Sequence, residues 1–65
     1  MFVIVNGHPH PLPEPRTLAA LLLLLSPLGA FAVARNDELV PRGTYDTCYI
    51  HQGDRIDIVH PAAGG

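Results

Sequence analysis

The stretch TLAALLLLLSPLGAFAVA, residues 17–34, decides the fold. It runs between Arg16 and Arg35 without a single charged residue. Read one way, it is a membrane span or the apolar part of an export signal, with Ala-Phe-Ala and Ala-Val-Ala as small-residue cleavage patterns. Read another way, it is a short buried helix, a turn and a strand. Three features favour the second reading. Pro27 and Gly29 interrupt the run, leaving about eight residues of continuous apolar helix where a span needs roughly 20. The segment before it, MFVIVNGHPHPLPEPR, begins with an apolar strand pattern and carries Glu14 close to Arg16, unlike the short positive leader of a signal peptide. Cleavage after Ala34 would leave a remainder with one cysteine, too short to fold without help.

On the buried-helix reading, Thr17 is the N-cap, because its hydroxyl accepts from a free amide of the first turn. Leu18, Leu21, Leu22 and Leu25 recur at i, i+3, i+4 and i+7 and form one face. Leu23 and Leu24 widen that stripe, which predicts a helix of two to three turns, mostly buried. Pro27 stops it and Gly29 supplies the reversal.

Working outward, FVIV at residues 2–5 is a β-branched and aromatic run that meets Asn6-Gly7, a strong hairpin signal because both turn positions need positive φ. The return strand HPHPL, residues 8–12, contains Pro9 and Pro11, which cannot donate ladder hydrogen bonds and confine it to an edge. After the helix, AFAVAR (30–35) reads as a strand, Asn36-Asp37 as a turn and ELVP (38–41) as a brief return. RGTYDT is irregular, and CYI (48–50) is extended. Gln52-Gly53-Asp54 turns into RIDIVH (55–60), where Ile56 and Ile58 alternate with Arg55 and Asp57. One helix must cover one face of one sheet, since no other element is available to bury it. A first strand apolar on both faces suits the centre, with the last strand parallel to it. The expected fold is α+β: a β-grasp (ubiquitin-like) mixed sheet of four to five strands covered on one face by one short helix. Residues 1–60 form the domain and residues 61–65 a flexible tail.

Composition narrows the function. The chain has 65 residues and a formal net charge of −2. All four basic residues are arginines, spread singly as Arg16, Arg35, Arg42 and Arg55, so no basic patch offers itself to nucleic acid. With no lysine, there is no side-chain amine for Schiff-base chemistry. Cys48 is the only cysteine, which excludes an internal disulfide and fits a reducing compartment, the cytoplasm. His8, His10, His51 and His60 show no zinc spacing, so no metal site is expected. No paired carboxylates, Ser-His arrangement or Gly-rich phosphate loop suggests catalysis, and no catalytic residue is assigned.

Four pieces of the chain carry a resemblance: VNG (5–7), VARNDELVPR (33–42), GDRIDIVH (53–60) and the last two residues, Gly64-Gly65. In this order, over essentially the whole chain, they resemble the ThiS family of thiamine-biosynthesis sulfur carriers. The HPHPLPEP segment and the five-leucine run depart from the family pattern. The resemblance implies that the Gly65 carboxylate is adenylated by an ATP- and Mg-using, E1-like adenylyltransferase. It then becomes a thiocarboxylate with sulfur from a donor such as a cysteine desulfurase, and passes the sulfur to a thiazole synthase. The carrier is then a protein co-substrate with no permanently bound cofactor, and no membrane or nucleic-acid partner.

The residues agree with that role. Glycine has no Cβ, so Gly64-Gly65, preceded by the small Ala63, can thread a narrow channel and let a nucleophile approach the terminal carbonyl. Five extended residues, 61–65, reach at most about 17 Å. If Val3, Val5, Ile56 and Ile58 face the helix, then Phe2, Ile4 and Val59 face outward and, with His60 beside the tail, form a candidate partner surface.

More ordinary roles stand beside these. Cys48 reads first as a small buried hydrophobe and only second as a persulfide carrier. His8 and His10 read as exposed edge-strand residues, and Tyr45 and Tyr49 as packing or rim residues. Alternative functions are a carrier for molybdopterin or cysteine biosynthesis, a β-grasp binding module with an inert tail, or a small anchored or exported protein.

Overall fold

The structure, a computed structural model, describes residues 1–61. Strand β1 (Phe2–Val5) turns through Asn6-Gly7 into β2 (His8–Pro11). Helix α1 (Leu18–Leu25) follows, then β3 (Ala32–Arg35), β4 (Glu38–Leu39), a single 3₁₀ turn at Arg42–Thr44, and β5 (Arg55–Val59). The strands form one mixed sheet in the order β2-β1-β5-β3-β4. β1 and β5 run parallel at its centre, with Ile4 opposite Arg55 and Val5 opposite Ile56. One helix packs on one face. This is the β-grasp topology expected from the sequence.

Both hairpins follow from their turn residues. Asn6 and Gly7 take φ of 48° and 84°, and Asn36 and Asp37 take 51° and 71°. Asparagine and aspartate tolerate this region better than other residues with a Cβ, and the resulting twist matches that of paired strands. Pro9 and Pro11 lie on the edge strand, as anticipated, opposite Ile4 and Phe2. Leu12 donates its amide to the Met1 carbonyl at 3.2 Å. Antiparallel pairs alternate between bonded and non-bonded, so His10 and His8 make the ladder bonds and the two prolines fall on pairs that need no donor. Their missing N–H groups point outward, leaving that stretch of the edge poor in donors for another strand.

The helix is pinned at its start. Thr17 is the N-cap, its Oγ1 accepting from Ala20 N at 3.1 Å. Leu18 N donates to Cys48 O at 2.8 Å and Ile50 N to Arg16 O at 2.9 Å, so residues 48–50 lie beside the entry to α1. They form one isolated bridge, Thr17 to Tyr49, and no further strand. The core is Val3, Val5, Leu18, Leu21, Leu22, Val33, Ile50 and Ile56, with Leu12, Leu25, Phe31, Val40, Tyr45, Cys48 and Ile58 partly buried against it.

The structure corrects the expected helix in two respects. Leu23 and Leu24 do not widen the buried stripe; they are 80% and 65% exposed. At 100° per residue they fall well away from the line through Leu18, Leu21, Leu22 and Leu25, and the single sheet covers only that line. The reversal begins at Ser26, not Gly29. Ser26 takes φ 47°, ψ 56° and donates its amide to Leu22 O at 2.8 Å. Pro27 explains this, since a residue before proline is driven out of the right-handed helical region. Gly29 (φ 68°) then makes a second left-handed step. Element ends also shift: β3 starts at Ala32, β4 ends at Leu39 and β5 ends at Val59.

No helix among the described residues is long and apolar enough to cross a membrane.

Candidate functional site

Two asparagine side chains and two turns fix β5, the strand that leads to the tail. Asn6 Oδ1 accepts from Ile58 N at 2.8 Å, extending the β1–β5 ladder one step past the end of β1. Asn36 Oδ1 accepts from Arg55 N at 2.9 Å, and Asn36 Nδ2 donates to Asp54 Oδ1 at 3.2 Å. Asp54 Oδ2 in turn accepts from His51 N at 2.8 Å, closing the turn before β5. Arg55 pairs with Asp37 and, at 3.5 Å, with Asp57. The hydrogen bond and charge of Asp37 hold the Arg55 guanidinium protonated beyond its ordinary range. The sequence marks both asparagines as turn residues; their second task as acceptors for β5 amides depends on contacts across the chain and leaves no local signal.

Strand alternation separates the candidate partner residues into two sets. Val3, Val5 and Ile56 are buried under the helix and Ile58 packs beside them, so Phe2, Ile4 and Val59 lie on the open face. Phe2 is 41% and Val59 56% exposed, with Ile4 half-buried between Pro9 and Arg55. The three do not meet at one point. By the β1–β5 register Phe2 aligns six residues upstream of Val59, about 20 Å along the strands. Near the tail, the open face consists of Val59 beside Ala32 and of Asp57 beside Ala34.

His60 departs from that face. Its Nε2 donates to Leu28 O at 3.0 Å, and its ring sits 6.5 Å from the Phe31 ring, tilted by 58°. Arg42 lies 5.9 Å over the same Phe31 ring and donates to the Phe31 carbonyl at 3.2 Å. The end of β5 is thereby tied to the loop after α1 through Leu28 and Phe31. Ala63, Gly64 and Gly65, the tail residues singled out from the sequence, lie outside the described residues.

The other candidates have plain placements. Cys48 is half-buried against the core. His8 is exposed and His10 half-buried on the edge strand. Among the described residues, no three His, Cys, Asp or Glu side chains converge as a metal would require.

Compared with known proteins, residues 3–65 match the ThiS family. The chain belongs to that family. The match spans both strands of the first hairpin, the helix and the whole of β5, and it continues through Gly64-Gly65. Among solved structures, this ThiS-family chain is similar to the thiamine biosynthesis protein (ThiS) from Geobacter metallireducens. The two are 26% identical with a TM-score of 0.83, and the likeness covers 100% of each chain. It is also 38% identical over 66 residues to a thiazole synthase from Magnetococcus marinus. That match takes in 100% of this chain but only 20% of the length of the Magnetococcus protein.

Proposed function

We propose that this ThiS-family chain is the sulfur carrier for thiazole formation in thiamine biosynthesis, with the Gly65 carboxylate as its reactive group. The observation that carries the reading is a family match that runs the length of the fold and on to the two terminal glycines. The relative named as a thiazole synthase supports a thiazole synthase as the acceptor, since its sequence includes a segment like this whole chain.

The chemistry follows from what a carboxylate lacks. It is a poor electrophile until one oxygen becomes a leaving group. A carboxylate oxygen attacks the α-phosphorus of ATP on an E1-like adenylyltransferase with Mg, and pyrophosphate leaves. The outer sulfur of a persulfide from a donor such as a cysteine desulfurase then attacks the acyl carbon and AMP leaves, giving an acyl disulfide, which a thiol reduces to the thiocarboxylate while itself ending in a disulfide with the donor's sulfur. The thiocarboxylate that results is carried to the thiazole synthase. This chain's own contribution is to present the group. Gly64 and Ala63 keep the approach narrow, and His60 and the Asn6–Ile58 bond hold the strand from which the tail departs. Phe2, Ile4 and Val59 would meet the partners across the open face. The chain acts as a co-substrate, not an enzyme, binds no permanent cofactor and works in the cytoplasm, in keeping with its one unpaired cysteine.

Intact-protein mass spectrometry tests the proposal. The chain is incubated with a candidate adenylyltransferase, ATP, Mg and a sulfide source. The expected result is a mass gain equal to one oxygen replaced by sulfur, abolished by deletion of Gly65. No gain, with an adenylyltransferase shown to load another carrier, would overturn it.

A further inference from the structure

The ladders that hold β5 stop before the tail. On the β3 side the last pair is Ala32 with Val59, and on the β1 side the Asn6 side chain takes over at Ile58. Carried one step further, the antiparallel register sets Phe31 opposite His60. Strand alternation then puts both side chains on the helix side of the sheet, with Val33 and Ile58. What holds the chain after Val59 is side-chain contact. His60 Nε2 donates to Leu28 O at 3.0 Å, and the His60 and Phe31 rings meet at 6.5 Å and 58°, as tilted aromatic pairs do. Phe31 is in turn held twice by Arg42, whose guanidinium lies 5.9 Å over the ring and donates to the Phe31 carbonyl at 3.2 Å. Arg42 is itself fixed at the start of the 3₁₀ turn, where Thr44 donates to Pro41 O through its amide at 3.0 Å and its hydroxyl at 2.8 Å.

We propose that Arg42 and Phe31 are positioning residues for the tail. With His60 and Leu28 they form a clamp that fixes the direction in which the chain leaves β5, and so the region in which the Gly65 carboxylate is offered to the adenylyltransferase. The inference rests on the carrier reading. Arg42 and His60 are both exposed, so their contacts add little to the core. Their effect falls instead at residue 60, five positions before the reactive group. Leverage makes that position matter. A tail of five extended residues reaches about 17 Å, and a swing of about 30° at its root displaces its end by about 9 Å. A free root spreads the carboxylate over many orientations, and ordering them on binding weakens the encounter with the partner. Once the tail is threaded, the partner's channel holds it. The clamp therefore lowers KM for the carrier and leaves kcat unchanged.

Kinetics and relaxation on the full chain test it together. KM and kcat for the carrier are read from pyrophosphate release with a candidate adenylyltransferase, ATP and Mg. His60→Ala is expected to raise KM about tenfold, the effect of ordering one more backbone residue on binding, with kcat unchanged. Arg42→Met, which leaves His60 in place, is expected to raise KM about threefold. The double variant His60→Ala/Arg42→Met is expected to stay near the about tenfold rise of His60→Ala, because Arg42 acts through His60. In the free proteins, ¹⁵N order parameters at Leu28 and at position 60 are expected to fall from about 0.85 towards about 0.6 in both single variants. Circular dichroism melts close to wild type show that the variants fold. An unchanged KM in His60→Ala overturns the proposal. So do unchanged order parameters in Arg42→Met, or a double variant raised about thirtyfold, which would have Arg42 meeting the partner directly. A loss confined to kcat would place these residues in the chemical step and overturn it as well. A wild type that releases no pyrophosphate, with an adenylyltransferase shown to load another carrier, removes the carrier reading and this proposal with it.

Discussion

At Asn6 the backbone takes φ 48° while the side-chain oxygen accepts from Ile58 N at 2.8 Å. The two roles separate by substitution. Asn6→Gly keeps the left-handed turn and removes the acceptor, leaving the Ile58 amide to water. It is expected to cost about 1 kcal/mol. Asn6→Val loses the acceptor and also forces a β-branched residue into positive φ, for a total of about 3 kcal/mol. Urea unfolding of both variants checks this: equal losses would show that the turn conformation contributes nothing beyond the hydrogen bond. The same residue shows what a sequence discloses. Asn6-Gly7 announces a turn because the requirement for positive φ is local. That Asn6 also anchors the strand leading to the tail depends on a residue fifty-two positions away. His60 is similar, since its proximity to the tail is plain from the sequence while its partners Leu28 and Phe31 are set by the packing of the loop after α1.

At the scale of an element, α1 is short because its two ends are both specified. Thr17 caps the first turn, and the Ser26-Pro27 pair stops the last one. Ser26 takes a conformation with φ 47°, which costs a residue with a Cβ about 1 kcal/mol relative to glycine. Ser26→Gly is therefore expected to stabilise the chain by several tenths of a kcal/mol, the gain being reduced by loss of the Ser26 Oγ to Leu23 O bond at 3.0 Å and by the greater freedom of glycine when unfolded. A rise in the urea midpoint with an unchanged slope is the expected reading, and a fall would mean that the hydroxyl outweighs the backbone strain. Start, end and type of this helix were legible because capping residues and proline act on their immediate neighbours. Its outward face was not. In LAALLLLL no polar residue marks the side that meets solvent, so periodicity identifies a buried line without saying how wide it is. The sheet decides that width, and the sheet is assembled from strands at both ends of the chain.

For the molecule as a whole, one sheet and one two-turn helix enclose a small core, and each member carries a large share of the stability. Ile50 illustrates this. It lies outside every strand and helix, yet it is fully buried, held by the bond from its amide to Arg16 O at 2.9 Å. The CYI segment looked merely extended in sequence, since a single apolar residue in an irregular segment has no period to betray its burial. The β-grasp order was legible for the opposite reason: a central apolar strand, an edge strand with two prolines and one helix leave few ways to cover a sheet. The contrast between two equal truncations tests this account of the core. Ile50→Ala removes fully buried methylene groups and is expected to cost about 3 kcal/mol. Leu23→Ala removes groups that are already 80% exposed, and is expected to change stability by less than about 0.5 kcal/mol. For a domain this small each kcal/mol shifts the melting temperature by roughly 4–8 °C, so Ile50→Ala should melt 10 °C or more below wild type and Leu23→Ala within a few degrees of it. Circular dichroism melts of the two variants beside wild type measure the effect on folding. A Leu23→Ala loss as large as that of Ile50→Ala would mean that the outward leucines belong to the core after all.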